Sequence, residues 1–129
     1  MVGKSRFIIM SIPKTLDEAV EILYTDIKKQ QKDFYEKVKN GQEKLSSYHH
    51  TTGRNIRNSW GLWAGSDLRD FFFDLGLYHA DDMSGIIFES VQAKIRGNKF
   101  DVDAAVKYYQ DFWEDQGINT QEKIKELQQ

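Results

Sequence analysis

The sequence predicts an all-α fold, a compact single-domain bundle of about five helices. Three observations carry that expectation. Apolar residues recur at three- and four-residue spacing along most of the chain. The one proline, Pro13, precedes the first helical stretch, so no helix downstream loses a backbone donor to a proline. Alternation with period two is confined to residues 6–10, which leaves room for no more than a short N-terminal strand.

Residues 1–11 are read as a lead segment, either a short strand or a disordered stretch. Thr15-Leu16-Asp17-Glu18 has the pattern of a capping box, in which Thr15 caps a helix and Glu18 reaches back. Leu16, Ala19, Val20, Leu23 and Ile27 then keep the helical period. The charged stretch from Lys28 to Lys39 continues it with Phe34, Tyr35 and Val38 inward, and Asn40-Gly41 is a stop signal. A second helical region is expected from about Gln42 to Asn58. Ser66 caps the next helix, whose stripe is Leu68, Phe71, Phe72 and Leu75, closed by Gly76. His79-Ala80-Asp81-Asp82-Met83-Ser84 opens another, with Asp81 or Asp82 as the expected N-cap and Gly97 as its stop. Asp101 caps a helix with Val102, Ala105, Val106, Tyr109, Phe112 and Trp113 inward, closed by Gly117. The helical domain is therefore placed at residues 12–117, followed by a polar C-terminal helix or tail at 118–129.

Composition narrows the function classes. With 40% hydrophobic and 29% charged residues the chain reads as globular rather than disordered. No cysteine is present, which removes disulfides and thiolate metal sites. Phe7-Ile8-Ile9-Met10 is too short for a signal sequence, and no apolar run has membrane-spanning length, so a cytoplasmic protein is expected. Charge is uneven: residues 1–58 carry a net +4 and residues 59–129 a net −6. The two halves can attract each other, or the basic half can face an anionic partner. The overall net charge of −2 argues against DNA as that partner.

One stretch, YHHTTGRNIRNSWGLW at 48–63, concentrates reactive and stacking side chains. On a helical wheel Leu45, His49, Thr52, Ile56 and Trp60 share the core side. His50, Arg54, Arg57 and Asn58 lie along one flank, bordered by Trp60 and Trp63. Guanidinium forks suit carboxylate or phosphate, and indoles offer a face for stacking. Closed by Asp81, Asp82 and Ser84, this set would make a pocket for an anionic, nucleotide-like molecule. The alternative is a structural seam, in which Arg57 pairs with Asp81 or Asp82 and the tryptophans are core.

The segments IPKTLDEAV, the His49-to-Trp63 stretch with its IRNSWGLW, and HADDMSGII resemble an uncharacterised family of small bacterial and phage-encoded domains. That family carries a PKTLxEA opening, an HxxxGxxIRNxWGLW segment and a DDMS helix start. The resemblance covers about residues 12–97 and places His49, Gly53, Ile56, Arg57, Asn58, Trp60, Gly61, Leu62, Trp63, Asp81, Asp82, Met83 and Ser84 on the pattern. Ala80 stands where a proline is frequent, and His50 is an additional histidine. The family has no assigned activity, so the resemblance implies a fold unit and a residue set rather than a function.

No phosphate loop, nucleophile elbow or HExxH motif is present. The expected function is therefore non-enzymatic: binding of a polar anionic small molecule without a cofactor, metal, DNA or membrane. Sequestration in phage–bacteria conflict is the setting suggested by analogy. Two alternatives stay open. One is a protein–protein or immunity-type inhibitor module, which exposure of Phe73, Tyr78 or Tyr108 would favour over a pocket; a homo-oligomer is open under any of these readings. The other is a metal-assisted hydrolase using His49, His79, Asp81 and Asp82.

Overall fold

The computed structural model describes residues 12–48 and 51–129. These form seven α-helices: α1 (Leu16–Gln30), α2 (Lys32–Lys39), α3 (Thr52–Ser59), α4 (Asp67–Leu75), α5 (Ala80–Arg96), α6 (Val102–Asp115) and α7 (Thr120–Leu127). A 3-10 turn at Leu45–Tyr48 lies between α2 and α3. No strand occurs among the described residues, and the lead segment expected at 1–11 lies outside them. No helix among them is long and apolar enough to cross a membrane.

The fold is organised around α5, against which α1, α2, the 3-10 turn, α3, α4 and α6 all pack; α7 rests on α6. Ala80, Met83, Ser84, Ile86, Ile87, Phe88, Val91 and Ile95 of α5 are all buried. Such a wide buried surface marks a central helix rather than a surface one. Around it lie Leu16, Ala19, Leu23 and Ile27 of α1, Tyr35 and Val38 of α2, Ile56 of α3, and Leu68, Phe72 and Phe73 of α4. Long-range polar contacts tie the outer segments down: the Arg96 guanidinium donates to the carbonyls of Val38 and Glu43 at 2.8 and 2.9 Å.

Two departures from the expected five helices have identifiable causes, one local and one long-range. The first segment breaks at Gln31, whose backbone (φ −135°, ψ 59°) ends α1 and opens α2. The expected helix from Gln42 to Asn58 is instead the 3-10 turn and the short α3. There the Leu45 amide donates to the Gln92 side chain at 2.9 Å, and the Ser47 hydroxyl donates to the Lys44 carbonyl at 2.8 Å. Both bonds engage backbone groups that a continuous helix would use. The cap assignments are otherwise local and simple. Thr15, Ser66 and Asp101 accept from the amides of Glu18, Arg69 and Ala104. Glu18 reaches back to the amide of Lys14, one residue before the cap. The last segment is a helix: Asn119 caps α7, and Thr120 and Ile124 are buried.

The turn after α3 depends on Gly61. Its φ is +70°, and a Cβ there would lie 2.6 Å from the Gly65 carbonyl oxygen and 2.8 Å from the Ser66 Cβ. A left-handed backbone costs a non-glycine residue about 1–2 kcal/mol before any clash is counted. Gly61→Ala is therefore expected to lower unfolding free energy by about 2 kcal/mol or slightly more, read as the urea midpoint.

Candidate functional site

The N-terminus of α5 is where the dense segment meets the acidic corner. His79, not Asp81 or Asp82, is the N-cap: its Nδ1 accepts from the Asp81 amide at 3.1 Å. With Nδ1 acting as acceptor, the neutral ring carries its proton on Nε2. Both aspartates thus fall in the first turn, at the positive end of the helix dipole. Asp81 is drawn sideways to Arg57, whose Nε lies 3.2 Å from its carboxylate. Arg57 Nη1 donates to the Ser84 hydroxyl at 3.0 Å, and that hydroxyl donates to the Asp81 carbonyl at 3.0 Å. Arg57 and Ser84 are buried. Their groups bond to one another, so the trio joins α3 to α5.

Asp82 faces the other way. Its carboxylate accepts from the Trp113 indole at 2.8 Å, tying α5 to α6. Burial pushes the Asp82 carboxyl above its ordinary value, the Trp113 hydrogen bond and the nearby His79 pull it back, and Asp81 adds to the rise. A carboxyl whose folded-state value is raised adds stability at low pH, and that contribution is lost as the pH climbs through the folded value. Asp82→Asn keeps an acceptor for Trp113 while removing the buried charge. Its melting temperature is expected to exceed that of the wild type at pH 7, the gap closing toward pH 3. A gap that widens on acidification would contradict this assignment. Nearby, burial and then Glu89 and Asp82 push the Tyr109 phenol up to about 12. Its hydroxyl sits 3.2 Å from where a Cβ on Gly85 would be, so the missing side chain lets α6 seat closely on α5.

Aromatic rings gather around His79. The imidazole stacks on Trp113 (centroids 5.3 Å apart, planes 15° apart) and meets Trp63 and Tyr78 edge-on at 5.3 and 5.7 Å. Beside this cluster opens a groove of about 310 Å³, lined by Leu62, Trp63, Arg69, Phe73, Tyr78, His79, Ile118, Lys123 and Leu127. That volume is at the lower end of small-molecule sites. Arg69 holds the floor together, donating to the carbonyls of Trp63 (2.9 Å) and Leu127 (3.4 Å), with its guanidinium 4.7 Å from the Phe73 ring centroid. Lys123 pairs with Glu126 at 3.5 Å, an exposed contact of small energy that a ligand can displace. None of the lining residues is acidic.

The described residues anticipated from sequence are distributed over four places: a buried knot, the core, the groove with its surroundings, and exposed surface away from it. Arg57, Asp81 and Ser84 form the buried knot. Trp60 is 0% exposed and lies within the core, where it offers no face to a ligand. Trp63 is 50% exposed and lines the groove. Asp82 accepts from Trp113 and is not among the groove's lining. Arg54 and Asn58 are exposed and are not among the groove's lining. His49 and His50 lie outside the described residues. Sequence reasoning passed over Arg69, Ile118, Lys123 and Leu127 as site residues, and weighed Phe73 and Tyr78 only as exposed contacts for a protein partner, whereas Phe73 is buried and both line the groove. Arg69 and Phe73 did leave a signal, since four-residue spacing on a helix puts a cation over a ring. For the metal reading, His79, Asp81 and Asp82 already serve as cap, ion-pair partner and indole acceptor. Among the described residues no three ligating side chains converge.

Fold and groove together define an all-helical domain with an aromatic, basic-sided cleft beside the N-terminus of its central helix. The family model described as a domain of unknown function (DUF6794) matches residues 12–95, and the chain belongs to that family. No curated protein and no solved structure matches it. The matched span runs from α1 almost to the end of α5, so α6, α7 and the turn between them, which supply Trp113, Ile118, Lys123 and Leu127, lie beyond it.

Proposed function

We propose that the chain is a non-enzymatic binding protein for a small anionic molecule with a flat ring, of nucleotide-like chemistry, held in the groove between Trp63, His79 and α7. The observation that carries this reading is the lining itself. In a chain with more acids than bases, the groove brings together Arg69, Lys123 and His79 with Trp63, Phe73 and Tyr78, and no carboxylate. A ring would lie against Trp63 or His79, and an anionic group would take up Lys123 from Glu126 and feel the charge of Arg69. Arg57 acts in this reading as a positioning residue that fixes the start of α5, and through it His79. A cytoplasmic setting and a sequestering role belong to the same proposal, the latter by analogy.

Thermal shift with nucleoside monophosphates, diphosphates and triphosphates, with the uncharged nucleosides as controls, tests the reading. At a ligand concentration 100 times Kd the stabilisation is about 2.7 kcal/mol, enough for a clear rise in melting temperature. Trp63→Ala and Lys123→Glu should each weaken binding about ten-fold, with little change in the melting temperature of the free protein. No shift with any anionic ring at millimolar concentration, or an unchanged shift in both variants, would remove the groove from consideration.

A further inference from the structure

We infer that the outer face of α6 is a docking surface for a cationic amphipathic helix of a protein partner, independent of the groove's ligand. Tyr108 is 66% exposed and Phe112 is 45% exposed, although both are large rings in a helix whose other side is packed. With Ala104 they stand four residues apart and make one ridge along α6. Acidic groups bracket it: Asp101 at the N-cap, Asp115 at the last turn, and Asp111 on its flank, all exposed. The nearest lysine on α6, Lys107, is 3.2 Å from Asp111.

The shape and charge of this face specify its occupant. A ridge of side chains at four-residue spacing packs into the groove of a second helix. Exposed tyrosine and phenylalanine are costly to leave in water and are residue types that interfaces favour. Carboxylates at both ends, about 21 Å apart along fourteen helical residues, select a helix with an apolar stripe over three turns and Lys or Arg flanking it. Phe112 also meets Trp113 edge-on at 5.0 Å, and Trp113 stacks on His79, so the ridge is continuous with the aromatic cluster. α6 lies beyond the family match, so this surface is built by the part of the chain that the family model does not cover.

The test uses three synthetic sixteen-residue helical peptides: a leucine stripe flanked by lysines, the same stripe flanked by glutamates, and a serine stripe flanked by lysines. Binding to the full chain is followed by fluorescence anisotropy at low and high salt. The lysine–leucine peptide should bind. The glutamate and serine versions should be at least about ten-fold weaker, and high salt should slow association. Tyr108→Ser with Phe112→Ser, and separately Asp111→Lys with Asp115→Lys, should each cost about ten-fold or more in affinity while circular dichroism and melting temperature stay at wild-type values. Equal binding of the glutamate peptide, or unchanged affinity in the variants, would overturn the inference. So would sedimentation showing a wild-type dimer that the two serine substitutions dissolve, because the ridge would then be a contact between copies.

Discussion

Trp60→Ala is expected to lower unfolding free energy by about 4 kcal/mol, the range typical of a large aromatic truncated inside a core. The indole is 0% exposed and sits at the C-cap of α3, where its own amide donates to the Ile56 carbonyl at 2.8 Å. Ile56, Leu62, Leu68 and Phe72 belong to the same buried cluster, and helices this tightly joined cannot collapse to fill a space of that size. For a chain of this length the loss corresponds to roughly 12–20 °C in melting temperature. Trp60→Phe restores part of the volume and should cost about 1–2 kcal/mol. Trp63→Ala, three positions on and half-exposed, should change stability by less than about 0.5 kcal/mol. The three variants measured together by urea denaturation separate a core role from a ligand role for the two indoles. A small loss at Trp60 alongside a large one at Trp63 would reverse the assignment made from burial.

The contrast between the two tryptophans shows how far the sequence could be read. Helix starts at Leu16, Asp67 and Val102 were legible because a cap is a local bond between a side chain and an amide three residues on. The helical character of the chain followed from spacing alone. The break between the 3-10 turn and α3 was not legible, because Leu45 gives its amide to Gln92, 47 residues away. Nor was the N-cap at His79: the Asp81 carboxylate is engaged by Arg57, and histidine rarely serves as a cap. The meeting of Arg57 with the start of α5 was one of two alternatives that the residues left open. The groove was hidden for a different reason. Its walls come from Trp63, from His79 and from Lys123, and only the docking of α7 against α6 brings the last of these to the other two. A residue-by-residue wheel carries no information about that third wall.

Arg57→Ala is expected to cost about 3 kcal/mol, and its pairing with Asp81 decides what the geometry of this corner is for. The guanidinium is nearly sealed from solvent while Asp81 is 45% exposed, so the Coulombic part of the pair is partly screened. The larger part of the loss comes from elsewhere. The buried Ser84 hydroxyl loses its guanidinium donor, the packed stem of Arg57 leaves a void, and α3 loses a polar tie to α5. Lysine cannot supply the fork that reaches Asp81 and Ser84 at once, so Arg57→Lys should recover less than half of the loss. Asp81→Asn should cost about 1–2 kcal/mol, and the double variant should be less destabilised than the sum by about 1 kcal/mol. Anionic-ligand affinity at the groove supplies the second axis. If Arg57 acts by positioning, Arg57→Lys lowers stability and raises a bound ligand's Kd by only about two- to four-fold, less than Trp63→Ala or Lys123→Glu, at a temperature where the variant is folded. If instead Kd rises ten-fold or more while stability is hardly touched, the guanidinium itself meets the ligand, and the site belongs at the α3–α5 corner rather than between Trp63 and Lys123.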